Sequence, residues 1–220
     1  MFEAEGLVVE RGGFRISVDR LRVDDRVVLL GRNGSGKTTL LKCFAGFIRP
    51  SKGRLLLNGE EITNLSPSMR RIGYIPQEPV RLPLKPSQVV EFFARKFSAN
   101  GLEILNKLGI SYILDKEALS QGESQIVNLA VVMMRRPELL LLDEPTANLD
   151  YLNQVGFWRV LRTLPTPMVY VTHDPLEASL IADHIYLVED GSVRGPYSNP
   201  LRERAELLVE DFNLYKILQK

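Results

Sequence analysis

The sequence predicts an α/β fold: a mostly parallel sheet with an antiparallel β portion and a small helical lobe inserted between two parts of the sheet domain. Three observations carry this. Short apolar, β-rich runs alternate with helical stretches, the pattern of strands joined by crossover helices. Four prolines between Pro76 and Pro86 interrupt that alternation, and residues 87 to 134 then read as mostly helical. Two dipeptides, Asn58-Gly59 after LLL and Asp190-Gly191 after YLVE, suit the positive φ angles of tight hairpin turns.

Taken in order, strands are expected at Leu7–Val9 and at Val27–Leu30, whose apolar VVLL leads straight into a glycine cluster. A helix follows at Lys37–Gly46, then strands at Leu55–Leu57 and Ile72–Ile75. The lobe is expected to hold helices at Ser87–Phe97, Leu102–Leu108 and Glu123–Met134. Four leucines at Leu139–Leu142 read as a buried central strand. A helix at Tyr151–Leu164, a strand at Met168–Thr172, a helix at Pro175–Ala182 and a strand at His184–Val188 complete the sheet domain. Asn199-Pro200 starts a last helix to Leu218, with Leu201, Ala205, Leu208, Phe212 and Tyr215 at helical spacing, expected to pack on its own domain. The whole is one domain over 1–220, with 1–76 and 135–220 as core and 77–134 as proline-rich loop and lobe.

Twenty-eight Lys and Arg against 27 Asp and Glu give a net charge of +1, which argues against a dedicated nucleic-acid binder. The one cysteine, Cys43, excludes an intrachain disulfide framework and fits a reducing compartment. The longest uncharged runs, Ser124–Met134 and Thr163–His173, fall short of the roughly 18–20 residues that span a bilayer. The acidic MFEAEG start lacks the layout of a secretion signal. A soluble, cytoplasmic chain is expected, reaching a membrane only through a partner.

GRNGSGKT, Gly31 to Thr38, matches G-x-x-x-x-G-K-[ST] between an apolar strand and an apolar helix, the context the motif requires. Its glycines let backbone N–H groups curl around phosphate oxygens at a helix N-terminus. Lys37 is placed to reach β- and γ-phosphates, and Thr38 to ligate Mg²⁺. Asp143, at the C-terminal end of the leucine strand, lies where open α/β sheets place ligands. It can hold Mg²⁺ through water, and Glu144 beside it can polarise an attacking water. Taken alone, Ser120 in LSQGE is an ordinary N-cap, Gln77 a solvated loop residue, and His173 and His184 structural.

The order GRNGSGKTT, Gln77, LSQGE, LLLLDEPTANLD and VTHD resembles the ATP-binding subunit of an ABC transporter over roughly residues 3–194. The resemblance implies a P-loop NTPase core and ATP and Mg²⁺ as ligands. It implies phosphate binding by Gly31, Asn33, Gly34, Ser35, Gly36, Lys37, Thr38 and Thr39, and metal support from Thr38, Gln77 and Asp143. Glu144 is the implied base or water-positioning group. The likeness further implies that Gln77 would bridge the metal and the transporter-facing loop, and that His173 would contact the γ-phosphate. By the same likeness Ser120 and Gly122 would bind the γ-phosphate of ATP held by a second subunit, and Asp150 would lie in the loop crossing that interface. Two copies as a head-to-tail dimer, an integral membrane transporter subunit and a peripheral place on the inner face of the cell membrane follow from the same likeness.

Three features depart from the family pattern. Gln121 and Glu123 replace the third and fifth residues of LSGGQ, and Glu123 adds a negative charge near ATP. ERGGF puts Arg11 where an aromatic stacks on adenine, with Phe14 three residues on; a guanidinium can also stack on a base. The lobe is compact. Val80, Leu82 and Leu84, apolar in a loop expected to be exposed, suggest a groove for the partner's cytoplasmic helix. A non-transport ABC ATPase acting as regulator or scaffold remains the alternative. A GTPase is disfavoured, because Asn106-Lys107-Leu108-Gly109 lacks the acid that reads guanine.

Overall fold

The computed structural model describes residues 1–80 and 82–199. In chain order, β1 (Phe2–Arg11), β2 (Phe14–Val23), β3 (Arg26–Leu30), α1 (Lys37–Phe44), β4 (Lys52–Leu57) and β5 (Glu60–Glu61) come first. Next are β6 (Ile72–Ile75), α2 (Pro86–Lys96), α3 (Gly101–Lys107), a 3₁₀ turn (Ser111–Asp115), α4 (Gln121–Met134), β7 (Leu139–Asp143) and α5 (Tyr151–Thr163). β8 (Met168–Thr172), α6 (Pro175–Ile181), β9 (His184–Glu189) and β10 (Ser192–Ser198) follow. The helix expected at Pro200–Leu218 lies outside the described residues. The described residues divide into two compact units, one of residues 1–70 and 167–199, the other of 71–166.

The first unit carries strands in the order β5-β4-β1-β2-β10-β9-β3-β8. β5, β4, β1 and β2 pair antiparallel, whereas β3 runs parallel to both β8 and β9. This is the expected combination of an antiparallel β portion and a parallel core. Both hairpin dipeptides turn the chain: Asn58 and Gly59 have φ of 53° and 83°, Asp190 and Gly191 of 46° and 70°. The structure adds three strands that the apolar runs did not show: β2, the two-residue β5 and β10. In β2, Ile16 and Val18 are buried, then the phase shifts to Leu21 and Val23, because the ladder with β1 skips Gly6 and Asp19. That irregularity breaks the period-2 pattern by which a strand is read. In β10, Gly195-Pro196 reads as a breaker, yet pairing with β9 resumes at Tyr197.

The second unit pairs β6 parallel to β7, with Ile72 opposite Leu139 and Ile75 opposite Leu142. All four leucines of β7 are fully buried. Its helical core gathers Val90, Leu105, Leu108, Ile113, Val127 and Met134, at apolar positions of α2, α3, α4 and the connection between them. α4 begins two residues earlier than expected, because Ser120 and Glu123 form a capping box: Ser120 Oγ accepts Glu123 N–H at 3.2 Å, and Glu123 Oε2 accepts Ser120 N–H at 3.0 Å.

Candidate functional site

In the first unit the loop after β3 opens α1, whose first turn carries no acidic residue. Gly36, the N-cap, has φ of 101°, and a Cβ there would sit 2.7 Å from the Phe14 ring. Only glycine meets both demands. Phe14 is thereby committed to the loop, while Arg11 ends β1 at the hairpin tip, exposed and paired with Phe14 in the ladder. Lys37 is 4% exposed, and its ammonium donates to the carbonyls of Gly31 at 2.7 Å and Arg32 at 2.9 Å. Ser35 Oγ is buried and has no protein partner. Asn33, Gly34 and Thr38 are exposed, and Thr39 is half-buried. Gly31 N–H donates to the Thr172 carbonyl at 3.3 Å, tying the loop to the end of β8 just before the exposed His173.

In the second unit Asp143 ends β7 at 5% exposure and accepts the Tyr74 hydroxyl at 2.9 Å. Burial, and then the neighbouring Asp143 charge, push the Tyr74 phenol well above its ordinary pKa. Tyr74 is a site residue that no local motif shows, since it lies on the neighbouring strand. Glu144 follows with φ of 44°, an uncommon backbone for a non-glycine residue and of the kind held at functional sites. Gln77 is exposed just beyond β6. The carbonyl of Pro76, which precedes it, accepts Gln125 Nε2–H of α4 at 3.0 Å.

Ser120 is exposed at the N-cap of α4, and Gly122 is buried against Asn153, where a Cβ would lie 2.8 Å from Asn153 Cγ. Asn153 in turn donates its backbone N–H to Asp150 at 3.1 Å, so Asp150 caps α5. Hydrogen bonds from Asn153 hold the Asp150 carboxyl below its ordinary pKa. The charge of Glu123 is turned back: Lys116 Nζ lies 2.5 Å from its Oε1. Partial burial works to raise the Glu123 pKa, but the Lys116 pair and the Ser120 N–H prevail and lower it.

Beside Gln77 a half-open cavity of about 660 Å³ is lined by Tyr74, Val80, Leu82, Leu84, Val127 and Asn128, among others. Val80, Leu82 and Leu84 are exposed there. No helix among the described residues is long and apolar enough to cross a membrane.

The family model described as ABC transporter matches residues 19–147. A molybdate/tungstate import ATP-binding protein of Archaeoglobus fulgidus is 36% identical, over 94% of this chain and 93% of that protein. A protein of the same name from Methanocaldococcus jannaschii is 37% identical over 76% of this chain, which spans 60% of that longer relative. The solved cbiO1 of Clostridium perfringens, part of the ABC transporter complex cbiONQ, matches with a TM-score of 0.75 at 27% identity, over 97% of this chain and 94% of that one. A phosphate loop in its required strand–helix setting and a likeness that runs nearly end to end lead to one conclusion: the chain belongs to the ABC transporter family, as an ATP-binding subunit with ATPase activity.

Proposed function

We propose that two copies of the chain, paired head to tail, share ATP between them and hydrolyse it to drive a membrane permease. The observation that carries nucleotide binding is the loop itself. Lys37 is buried within it, and the partnerless Ser35 hydroxyl is a polar group that a phosphate oxygen satisfies. Gly31, Asn33, Gly34, Gly36, Thr38 and Thr39 complete the cradle. Arg11 stacks on adenine, because the Phe14 ring is occupied against Gly36.

Thr38, Gln77 and Asp143 offer hard oxygen donors. No cluster of three or more acidic, His or Cys side chains that could hold a metal occurs among the described residues. Hard oxygen donors of this kind suit Mg²⁺, which keeps waters and takes phosphate oxygens rather than an all-protein cage. When bound, the ion supplies neutralisation of charge on the β- and γ-phosphates. Tyr74 orients the Asp143 carboxylate. Glu144 orients the attacking water and takes its proton, and His173 holds the γ-phosphate in line. Ser120 and Gly122 of the second copy grip the same γ-phosphate, with Asp150 in the loop at that interface. Loss of the γ-phosphate on hydrolysis releases the grip, and the pair opens.

The chain works in the cytoplasm, peripheral on the inner face of the membrane. The cavity bordered by Val80, Leu82 and Leu84 receives a cytoplasmic helix of the permease. The relatives' names support import of an oxyanion of the molybdate or tungstate kind.

Ser120→Trp compared with Lys37→Ala tests the sharing. Ser120→Trp is expected to cut turnover about 100-fold or more while single-chain affinity for ATP changes less than about twofold. Lys37→Ala is expected to weaken both. An equal loss of affinity in Ser120→Trp would mean that LSQGE acts within its own chain.

A further inference from the structure

Glu177 is a carboxylate at 6% exposure on the first turn of α6, and the nucleotide reading gives it no task. Its Oε1 accepts the Tyr170 hydroxyl and its Oε2 accepts the Thr172 hydroxyl. The two donors stand two apart on β8, where alternate residues share a face. Thr172 Oγ1 also accepts the N–H of Asp174 at 3.0 Å, and the Thr172 carbonyl accepts the N–H of Gly31 at 3.3 Å. Both neighbours of His173 are therefore pinned through the same threonine.

Asp174 is the N-cap of α6, and its side chain accepts Leu176 N–H at 2.8 Å. Glu177 is its N3 residue. In an ordinary capping box the N3 side chain takes the N-cap N–H directly. Here the Thr172 hydroxyl stands between them, accepting from Asp174 and donating to Glu177. The helix start and the strand end are joined in one relay that closes around His173. A carboxylate is an acceptor at both oxygens, so both hydroxyls must donate to it. That leaves the Thr172 oxygen lone pairs facing the Asp174 N–H.

The geometry points to Glu177 as the positioning residue for His173: through Thr172 it fixes the backbone on either side of the histidine. This rests on the proposed contact of His173 with the γ-phosphate. Glutamine in place of Glu177 keeps the shape but brings an amide donor, so one of the two hydroxyls must turn away. The loop at His173 then loosens, while the contacts of the phosphate loop to the nucleotide stay.

Steady-state ATPase and binding of a fluorescent ATP analogue decide between positioning and simple stability. Glu177→Gln is expected to lower kcat about tenfold, with analogue affinity and KM within about twofold. Thr172→Val should match it, and Thr172→Ser, which keeps the hydroxyl, should restore kcat. In a His173→Ala background Glu177→Gln should change kcat less than about twofold, because its effect is spent through the histidine. If His173→Ala lowers kcat and Glu177→Gln does not, the positioning role is wrong and the His173 reading stands. An undiminished loss in the His173→Ala background would make Glu177 merely structural and overturn the role. If His173→Ala leaves kcat unchanged, the His173 reading fails and takes the positioning role with it. Should Glu177→Gln not fold, the Thr172→Val and Thr172→Ser pair decides: equal kcat in the two overturns the role.

Discussion

Asp143 shows what a single residue gains from its neighbours. Its place at the end of a leucine strand is legible because strand and acid adjoin in sequence. The Tyr74 hydroxyl that holds it is not, since the two are 69 positions apart and meet only through the pairing of β6 with β7. A group that orients a metal-supporting carboxylate is worth about 10–100-fold in metal affinity. Tyr74→Phe is accordingly expected to raise the Mg²⁺ needed for half-maximal ATPase about tenfold, while nucleotide affinity in EDTA stays unchanged; titration with Mg²⁺ and with ATP checks both. Glu177 escaped the sequence reading for the same reason, its partners being hydroxyls with no motif of their own. Cys43 is simpler. It is fully buried on α1, and burial pushes its thiol up to about 12, with the Arg70 charge opposing. Folded protein at pH 8 should resist iodoacetamide, and denatured protein should react at once; mass spectrometry reads the difference.

At the scale of elements, α4 explains how LSQGE departs from LSGGQ without leaving a loose charge at the helix start. Glu123 closes a capping box on Ser120 and pairs with Lys116. Loss of such a cap costs about 1 kcal/mol, so Glu123→Ala should lower unfolding free energy by about that much in urea, and Glu123→Gln by less. The sign of the pH effect follows from its lowered pKa. The contribution of the charge is fully present above the unfolded value near about 4.3 and is lost as pH falls through the lower folded value. The stability gap between wild type and Glu123→Gln should therefore close below about pH 4; urea melts at a series of pH values measure it. The expected helices within the described residues match to within two residues at either end, since caps and apolar spacing are local signals. β2 and β10 were illegible because charged alternation, the skipped pair at Gly6 and Asp19, and Gly195-Pro196 hide strands that tertiary pairing enforces.

For the molecule as a whole, the proposed currency is the γ-phosphate. A ligand that binds only the paired state stabilises pairing in proportion to its concentration over its dissociation constant. On that proposal ATP acts as the joint between two copies, and its hydrolysis as the release. In the proposed pair Lys37 and Ser35 hold one face of the nucleotide, and Ser120 and Gly122 of the other copy close the opposite face. Glu144, held with left-handed backbone at the end of the leucine strand, is the residue proposed to perform the step that ends the pairing. Replacing it by glutamine keeps the shape and removes the base, so the joint should form and persist. Light scattering of Glu144→Gln after gel filtration, with and without Mg-ATP, is the most direct test. The account predicts the mass of two chains with Mg-ATP and of one without it; one chain in both conditions, with ATP bound, would contradict it.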